Sequence, residues 1–333
     1  MKRALVTGAG GFIGHHLVNY LKARGYWVRG VDIKEPEFAP TAADEFLLLD
    51  LRVPGQAALA FVNVTQKGQS MRFDEVYALA ADMGGMGYIA FHDADILASN
   101  AMININTISL ARQAGAERYL FTSSACVYPE HLQLSEDVAG LQEADAYPAA
   151  PDTEYGWEKL FAERLVQAYA RDYGMTTRIA RFHNIYGPLG TWTGGREKAP
   201  AALCRKVAEV SDRDAPAIDV WGDGEQTRSF CYIDDCVEGI YRLMHSDYGE
   251  PLNIGSDRMV SINELVDMIG HVAGVSVDKR HDLSRPQGVR GRNSDNSLCR
   301  TVLEWEPQTC LEDGISHTYA WIAQQVRAVR TGA

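Results

Sequence analysis

Tyr155 and Lys159, in Tyr155-Gly-Trp-Glu-Lys159, are spaced to act as an acid–base unit. The helical run that follows, EKLFAERLVQAYARDYG, would set them on one face, one turn apart. An ammonium beside a phenol stabilises the phenolate and lowers a pKa that starts at about 10. Such a phenolate can take a proton from a substrate hydroxyl. Upstream, FTSSACVYP (121–129) ends an apolar run in two serines, and Ser124 could orient the same hydroxyl. Cys126 lies two positions further on. Side chains two apart on an extended strand share a side, so Cys126 is expected to face where Ser124 faces. The plainer reading is a small core residue. A Tyr-x-x-x-Lys pair alone is common by chance, so its meaning depends on the elements that hold it.

Those elements begin at the first residues. Residues 3–7 form a short apolar run that reads as a buried parallel strand. It leads into TGAGGFIG, and then HHLVNYLKARG carries helical periodicity to Gly25. A second strand over 26–31 is closed by Asp32. Gly8, Gly11 and Gly14, with Phe12 and Ile13 between them, allow a tight turn and the close approach of a pyrophosphate to a helix N-terminus. Strand, glycine turn, helix, strand and terminal acid in that order predict a dinucleotide site. The Asp32 carboxylate would accept from the adenosine ribose hydroxyls and repel a 2′-phosphate, which favours NAD over NADP. Arg29 and Lys34 flank it as contrary charges. Further strand-like runs at 46–49, 75–79 and 118–122 alternate with helical stretches. They predict an α/β fold with a doubly wound parallel Rossmann sheet and a second, smaller, interwoven lobe. Asp50 and Leu51, and then Ala80 and Ala81, follow strand ends, where ligands bind in such sheets.

TGAGGFIG, SSACVY, YGWEK and RFHNIYGP resemble the motifs of the extended short-chain dehydrogenase/reductase family over essentially the whole chain. ADMGGMG (81–87), GGREKAPAA (194–202), WGDGEQTRSF (221–230), NIGSD (253–257) and GVRGRNSDN (288–296) resemble, more narrowly, its GDP-mannose 3,5-epimerase branch. That resemblance implies oxidation of carbon 4 of a GDP-hexose through Tyr155, Lys159 and Ser124. Cys126 and Lys198 would then act as acid and base on opposite faces of the ketone's neighbours, turning GDP-mannose into GDP-L-galactose, with GDP-L-gulose as by-product. It implies substrate contacts from Gly84, Ser124, Ala125, Cys126 and Asn184. Further contacts are implied from Glu197, Lys198, Ala199 and Lys206, and from Gln226, Thr227, Arg228 and Arg292. The implied division gives 1–182 and 218–252 to the NAD lobe, and 183–217 and 253–333 to the sugar lobe. A homodimer is the family's expectation.

Charge and alternatives bound this reading. Arg196, Arg205, Lys206, Arg228, Arg290 and Arg292 fall in stretches assigned to the second lobe and could serve a diphosphate. The net charge of −12 argues against nonspecific nucleic-acid binding. Six scattered cysteines without a C-x-x-C pair argue against a metal site or disulfide framework. No apolar run reaches membrane length and no signal-peptide core is present, so a cytoplasmic location is expected. A GDP-fucose-synthase-like epimerase/reductase is the alternative, with Leu189 where that family carries a histidine. A plain 4-epimerase would leave Cys126 and Lys198 without a task. A regulator that binds NAD without turnover would have little use for the Tyr155/Lys159 pair.

Overall fold

The computed structural model describes residues 1–62, 64–66, 69–89 and 91–332. Seven parallel strands form the main sheet, in the order Pro251–Ile254, Thr176–Phe182, Arg118–Ser124, Glu75–Ala78, Arg3–Thr7, Trp27–Asp32, Glu45–Leu48. The central strands are buried along their length because helices cover both faces of the parallel sheet. The order reverses between Arg3–Thr7 and Glu75–Ala78, so a crevice opens beyond their carboxyl ends. The expected doubly wound sheet is present.

Two elements fix what sits over that crevice. Helix Phe12–Ala23 starts directly after the glycine turn. Helix Glu154–Tyr173 begins at Thr153, whose hydroxyl accepts the Gly156 N–H, and ends at Gly174 with φ 67°. That left-handed stop costs glycine nothing, where a Cβ would strain it.

The smaller lobe holds a three-stranded sheet, Met259–Ser261, Thr227–Ser229 and Gly291–Arg292, and a parallel pair, Ala217–Trp221 with Asp278–Asp282. Helices Ala199–Val210, Ile262–Ala273 and Leu311–Thr331 pack together beside them. Ala217–Trp221 and Thr227–Ser229 pair only within the small sheets, while Pro251–Ile254 joins the large one. No local signal in 218–229 reveals this strand pairing. Among the described residues, no helix is long and apolar enough to cross a membrane.

Candidate active site

Strand Arg118–Ser124 stops at Ser124, and Ala125–Val127 makes one 3-10 turn. Ser124 caps this turn, its hydroxyl accepting the Cys126 N–H at 3.2 Å. Cys126 is therefore not on an extended strand, and the expected two-residue alternation does not apply. It still meets Ser124 in one cavity, because the turn folds it over the strand end. At Gly156 a Cβ would stand 2.1 Å from the Cys126 carbonyl oxygen. Only glycine lets the first turn of the Tyr155 helix lie this close to the Cys126 turn.

Tyr155 is buried beside Ile89 and Ile96 and hydrogen-bonds with Ser124. Lys159 donates to the Thr122 carbonyl at 3.1 Å, its ammonium 5.6 Å from the Tyr155 ring centroid. The structure brings Ser124, Tyr155 and Lys159 together, but the phenol shifts away from the direction expected. Burial pushes Tyr155 up, Cys126 and Glu158 add to the effect, and the Ser124 hydrogen bond opposes it. Burial likewise pulls Lys159 down, against the attraction of Glu158, Glu163 and Cys126. Desolvation penalises both charged forms and is the largest influence on each.

Lys198 stands at the N-cap of helix Ala199–Val210. Burial lowers its pKa, opposed by Cys126 and Cys236, and a lysine so lowered gives up its proton more readily. Cys126, Lys198, Ser124 and Tyr155 line one cavity of about 380 Å³, a size that suits a small-molecule ligand. Two segments distant in sequence close it. The Gly85 N–H donates to the Arg196 carbonyl at 3.0 Å, and a Cβ on Gly85 would lie 2.5 Å from the Glu197 carbonyl oxygen. Arg196 stacks 3.7 Å over the Tyr88 ring and pairs with Asp82 at 3.2 Å.

Gly84, Ala125, Asn184 and Ala199 supply neutral parts of the cavity wall, and Glu197, Lys206, Gln226, Arg228 and Arg292 its polar parts. Asn184 sits at φ 45°, a region asparagine tolerates, with its amide donating to the Ser229 carbonyl at 2.9 Å. Thr227 is the exception. On strand Thr227–Ser229 its neighbours Gln226 and Arg228 face the cavity, while its hydroxyl donates to the Glu136 carbonyl at 2.6 Å. The basic cluster is also smaller than expected. Arg196 is committed to Asp82, and Arg290 to Glu136 and Asp223, so neither lines the cavity. Arg205 lines it while paired with Glu197 and Glu209.

The glycine turn is shaped for close approach. A Cβ at Gly14 would stand 2.0 Å from the Gly8 carbonyl oxygen, and one at Gly8 would stand 2.8 Å from the Ala80 nitrogen. The Thr7 hydroxyl accepts the Ala80 N–H at 3.2 Å, which ties the two strand ends together. Gly11 and Phe12 line a small adjoining pocket, and Ile13 reaches the large one. Asp32 lies at the end of its strand and accepts the Gly10 N–H at 3.0 Å. Burial raises its pKa, and backbone donors from Lys34, Gly10 and Ile33 oppose the rise. Arg29 is buried against Glu45 and the Ala60 carbonyl, so it is not available to a 2′-phosphate. This cradle, small at every close contact and acidic at its end, fits NAD. Asp50 is gripped by Arg52, Leu51 is buried, and Ala81 leads from the strand end into the glycine loop beside Asp82.

Sequence reasoning missed Asp152 and Gln133. Asp152 lines the cavity 3.6 Å from Arg292, and Gln133 accepts from the Arg292 Nε. Neither stands in a recognisable spacing, because their roles arise only where the small lobe meets the loop after Cys126.

Residues 4–255 match the NAD dependent epimerase/dehydratase family, and the chain belongs to it. NAD is its cofactor. Within the family the chain is 47% identical to GDP-mannose 3,5-epimerase 1 of Oryza sativa subsp. indica, covering 99% of this chain and 84% of the relative. It is also 47% identical to GDP-mannose 3,5-epimerase of Arabidopsis thaliana, covering 96% and 82%. The solved UDP-glucuronic acid 4-epimerase of Bacillus cereus, in complex with UDP-glucuronic acid and NAD, superposes with a TM-score of 0.79 at 27% identity, covering 97% of this chain and 99% of that one.

Proposed function

We propose that this protein is a GDP-mannose 3,5-epimerase, forming GDP-L-galactose with GDP-L-gulose as by-product. The observation that carries the reading is the meeting of Cys126 and Lys198 in the cavity that also holds Tyr155, Lys159's neighbour on the helix, and Ser124. A 4-epimerase needs the last pair; only inversion at carbons flanking a ketone needs the first. NAD, when bound, supplies the redox partner that takes a hydride from carbon 4 and later returns it. Tyr155 takes the carbon-4 hydroxyl proton and Ser124 orients that hydroxyl. Once carbon 4 is a ketone, the hydrogens on carbons 3 and 5 become acidic. Cys126 removes a proton to its sulfur, and Lys198 delivers one to the opposite face, so each centre inverts. Lys206 and Arg292 are cations for the diphosphate and sugar oxygens, and Arg228, its Nη groups held by backbone carbonyls, adds its charge beside them.

In our reading the large sheet with helix Ile233–His245 is the NAD lobe and the small sheets form the sugar lobe. Exposed Leu97, Met102 and Ile105 on helix Asp93–Gln113 lie beside exposed Trp157 and Phe161 on helix Glu154–Tyr173. This apolar face supports a homodimer, and six free cysteines support a reducing cytoplasm.

The test is incubation with GDP-mannose in deuterated water without added cofactor. Deuterium is expected at carbons 3 and 5 of the products, read by NMR. Turnover with deuterium at neither carbon would leave a 4-epimerase, and a requirement for stoichiometric NADPH would leave the reductase.

A further inference from the structure

Arg292 is buried at 8% exposure, and its guanidinium has a different neighbour on each nitrogen. Nε donates to the Gln133 side-chain oxygen. Nη1 donates to the Cys126 sulfur at 3.3 Å. Nη2 makes no hydrogen bond and lies 3.6 Å from the Asp152 carboxylate, whose facing oxygen is also without a hydrogen-bond partner.

The clamp behind this fork is rigid. Gln133 is fully buried and donates to the Tyr128 and Pro129 carbonyls at 3.2 and 3.1 Å. Its own backbone carbonyl accepts the Arg290 and Gly291 N–H groups. A Cβ at Gly291 would lie 2.2 Å from the Ser135 carbonyl oxygen, so strand Gly291–Arg292 is seated directly on the chain that follows Cys126. Arg228, the other cavity arginine nearby, is spent on the Thr227, Gln287, Val289 and Arg290 carbonyls. Among the described residues, Arg292 is the guanidinium that touches the sulfur.

We propose that Arg292 is a catalytic residue acting on Cys126 itself, stabilising the thiolate that serves as the carbon base, with Gln133 as its positioning residue. The inference rests on Cys126 being that base. A fixed guanidinium donor on sulfur favours thiolate over thiol, and a charge-assisted hydrogen bond is roughly twice as strong as a neutral one. Arg292 and Asp152 both line the cavity that holds Cys126, so the arginine that touches the thiol also stands beside the substrate space.

The experiment measures the thiol without substrate. NAD-loaded protein is treated with iodoacetamide, small and uncharged, and alkylation of the Cys126 peptide is followed by mass spectrometry, with exposed Cys310 as internal reference. Arg292→Met is expected to slow Cys126 alkylation about tenfold or more, as loss of a hydrogen bond to a charged group implies, and to leave Cys310 unchanged. Gln133→Met should slow it less, in the same direction. Arg292→Lys keeps the charge but cannot span both Gln133 and the sulfur, and should fall between parent and Arg292→Met. It also serves alone if the methionine variant loses its fold. Parent-like alkylation in Arg292→Met, or in Arg292→Lys, overturns the proposal and leaves Arg292 as a substrate contact only. Slowed alkylation alongside absent deuterium incorporation in the parent would instead sink the epimerase reading.

Discussion

At the amino end of the large sheet, Glu75 is buried and fully engaged. Lys2 reaches it at 2.9 Å, Tyr77 at 2.8 Å, Tyr26 at 3.2 Å and His245 at 3.0 Å. Burial alone would raise its carboxyl, but hydrogen bonds from His245, Lys2 and Tyr77 hold it at about 2. At the carboxyl end, burial wins at Tyr155, Lys159 and Lys198, each moved toward its neutral form. There Gln226, Glu158, Asp152 and Arg292 each keep a buried polar atom without a hydrogen-bond partner. Satisfied charge stabilises a fold; unsatisfied polar capacity around poised proton carriers is what a reaction needs. Glu75 and the Tyr155 site thus differ in the completeness of their hydrogen bonding, one serving stability and the other chemistry.

The largest expected effect is at Tyr155. Tyr155→Phe should abolish epimerisation and all deuterium incorporation, because neither carbon proton is acidic without the ketone, while the melting temperature stays near the parent's. Exchange that persists would mean the ketone forms by another route. Cys126→Ser and Lys198→Met come next. Positioned acid–base groups typically contribute about 10²–10⁴-fold, so product formation should fall by that order in each. The transient 340 nm absorbance on adding GDP-mannose should survive in both, since Tyr155, Lys159 and Ser124 remain. Near-normal turnover by Cys126→Ser would return Cys126 to a packing role.

Asp32→Ala probes the cofactor side of the carboxyl end. It removes the ribose acceptor and the repulsion of a 2′-phosphate, so NAD retained through purification should drop and NADP should bind comparatively better. Unchanged NAD content would contradict the assignment.

The smallest effect belongs to the amino end and tests the comparison from its other side. Glu75→Gln should cost about 1–3 kcal/mol by leaving buried partners unmatched, with deuterium incorporation unaltered in the folded fraction. The folded carboxyl lies below its ordinary value of 4.5, so its contribution is complete above that pH and disappears as pH falls toward about 2. The difference in melting temperature between parent and variant should therefore be full at pH 7 and shrink from pH 4.5 downward. A difference that stays constant across that range would show that Glu75 packs rather than pairs.

Local order in the chain determined much of this protein. The run from Arg3 through TGAGGFIG to Asp32 dictates strand, turn, helix and strand, because glycine positions and apolar periodicity act over a few residues. Tyr155 and Lys159 share a helix face for the same local reason, and the family resemblance of the segments around them implied the roles of Cys126 and Lys198. Tertiary structure decided the rest. It turned the chain at Ser124, so Cys126 reaches the cavity from a 3-10 turn and not a strand. It set the direction of the Tyr155 shift, since desolvation depends on everything packed around the phenol. Thr227 was turned away, Arg290 was spent on Glu136 and Asp223, and Gln133 was brought to Arg292 across 159 residues of chain. Contacts between segments so far apart depend on how the small sheets dock on the large one, and no spacing within either segment encodes that.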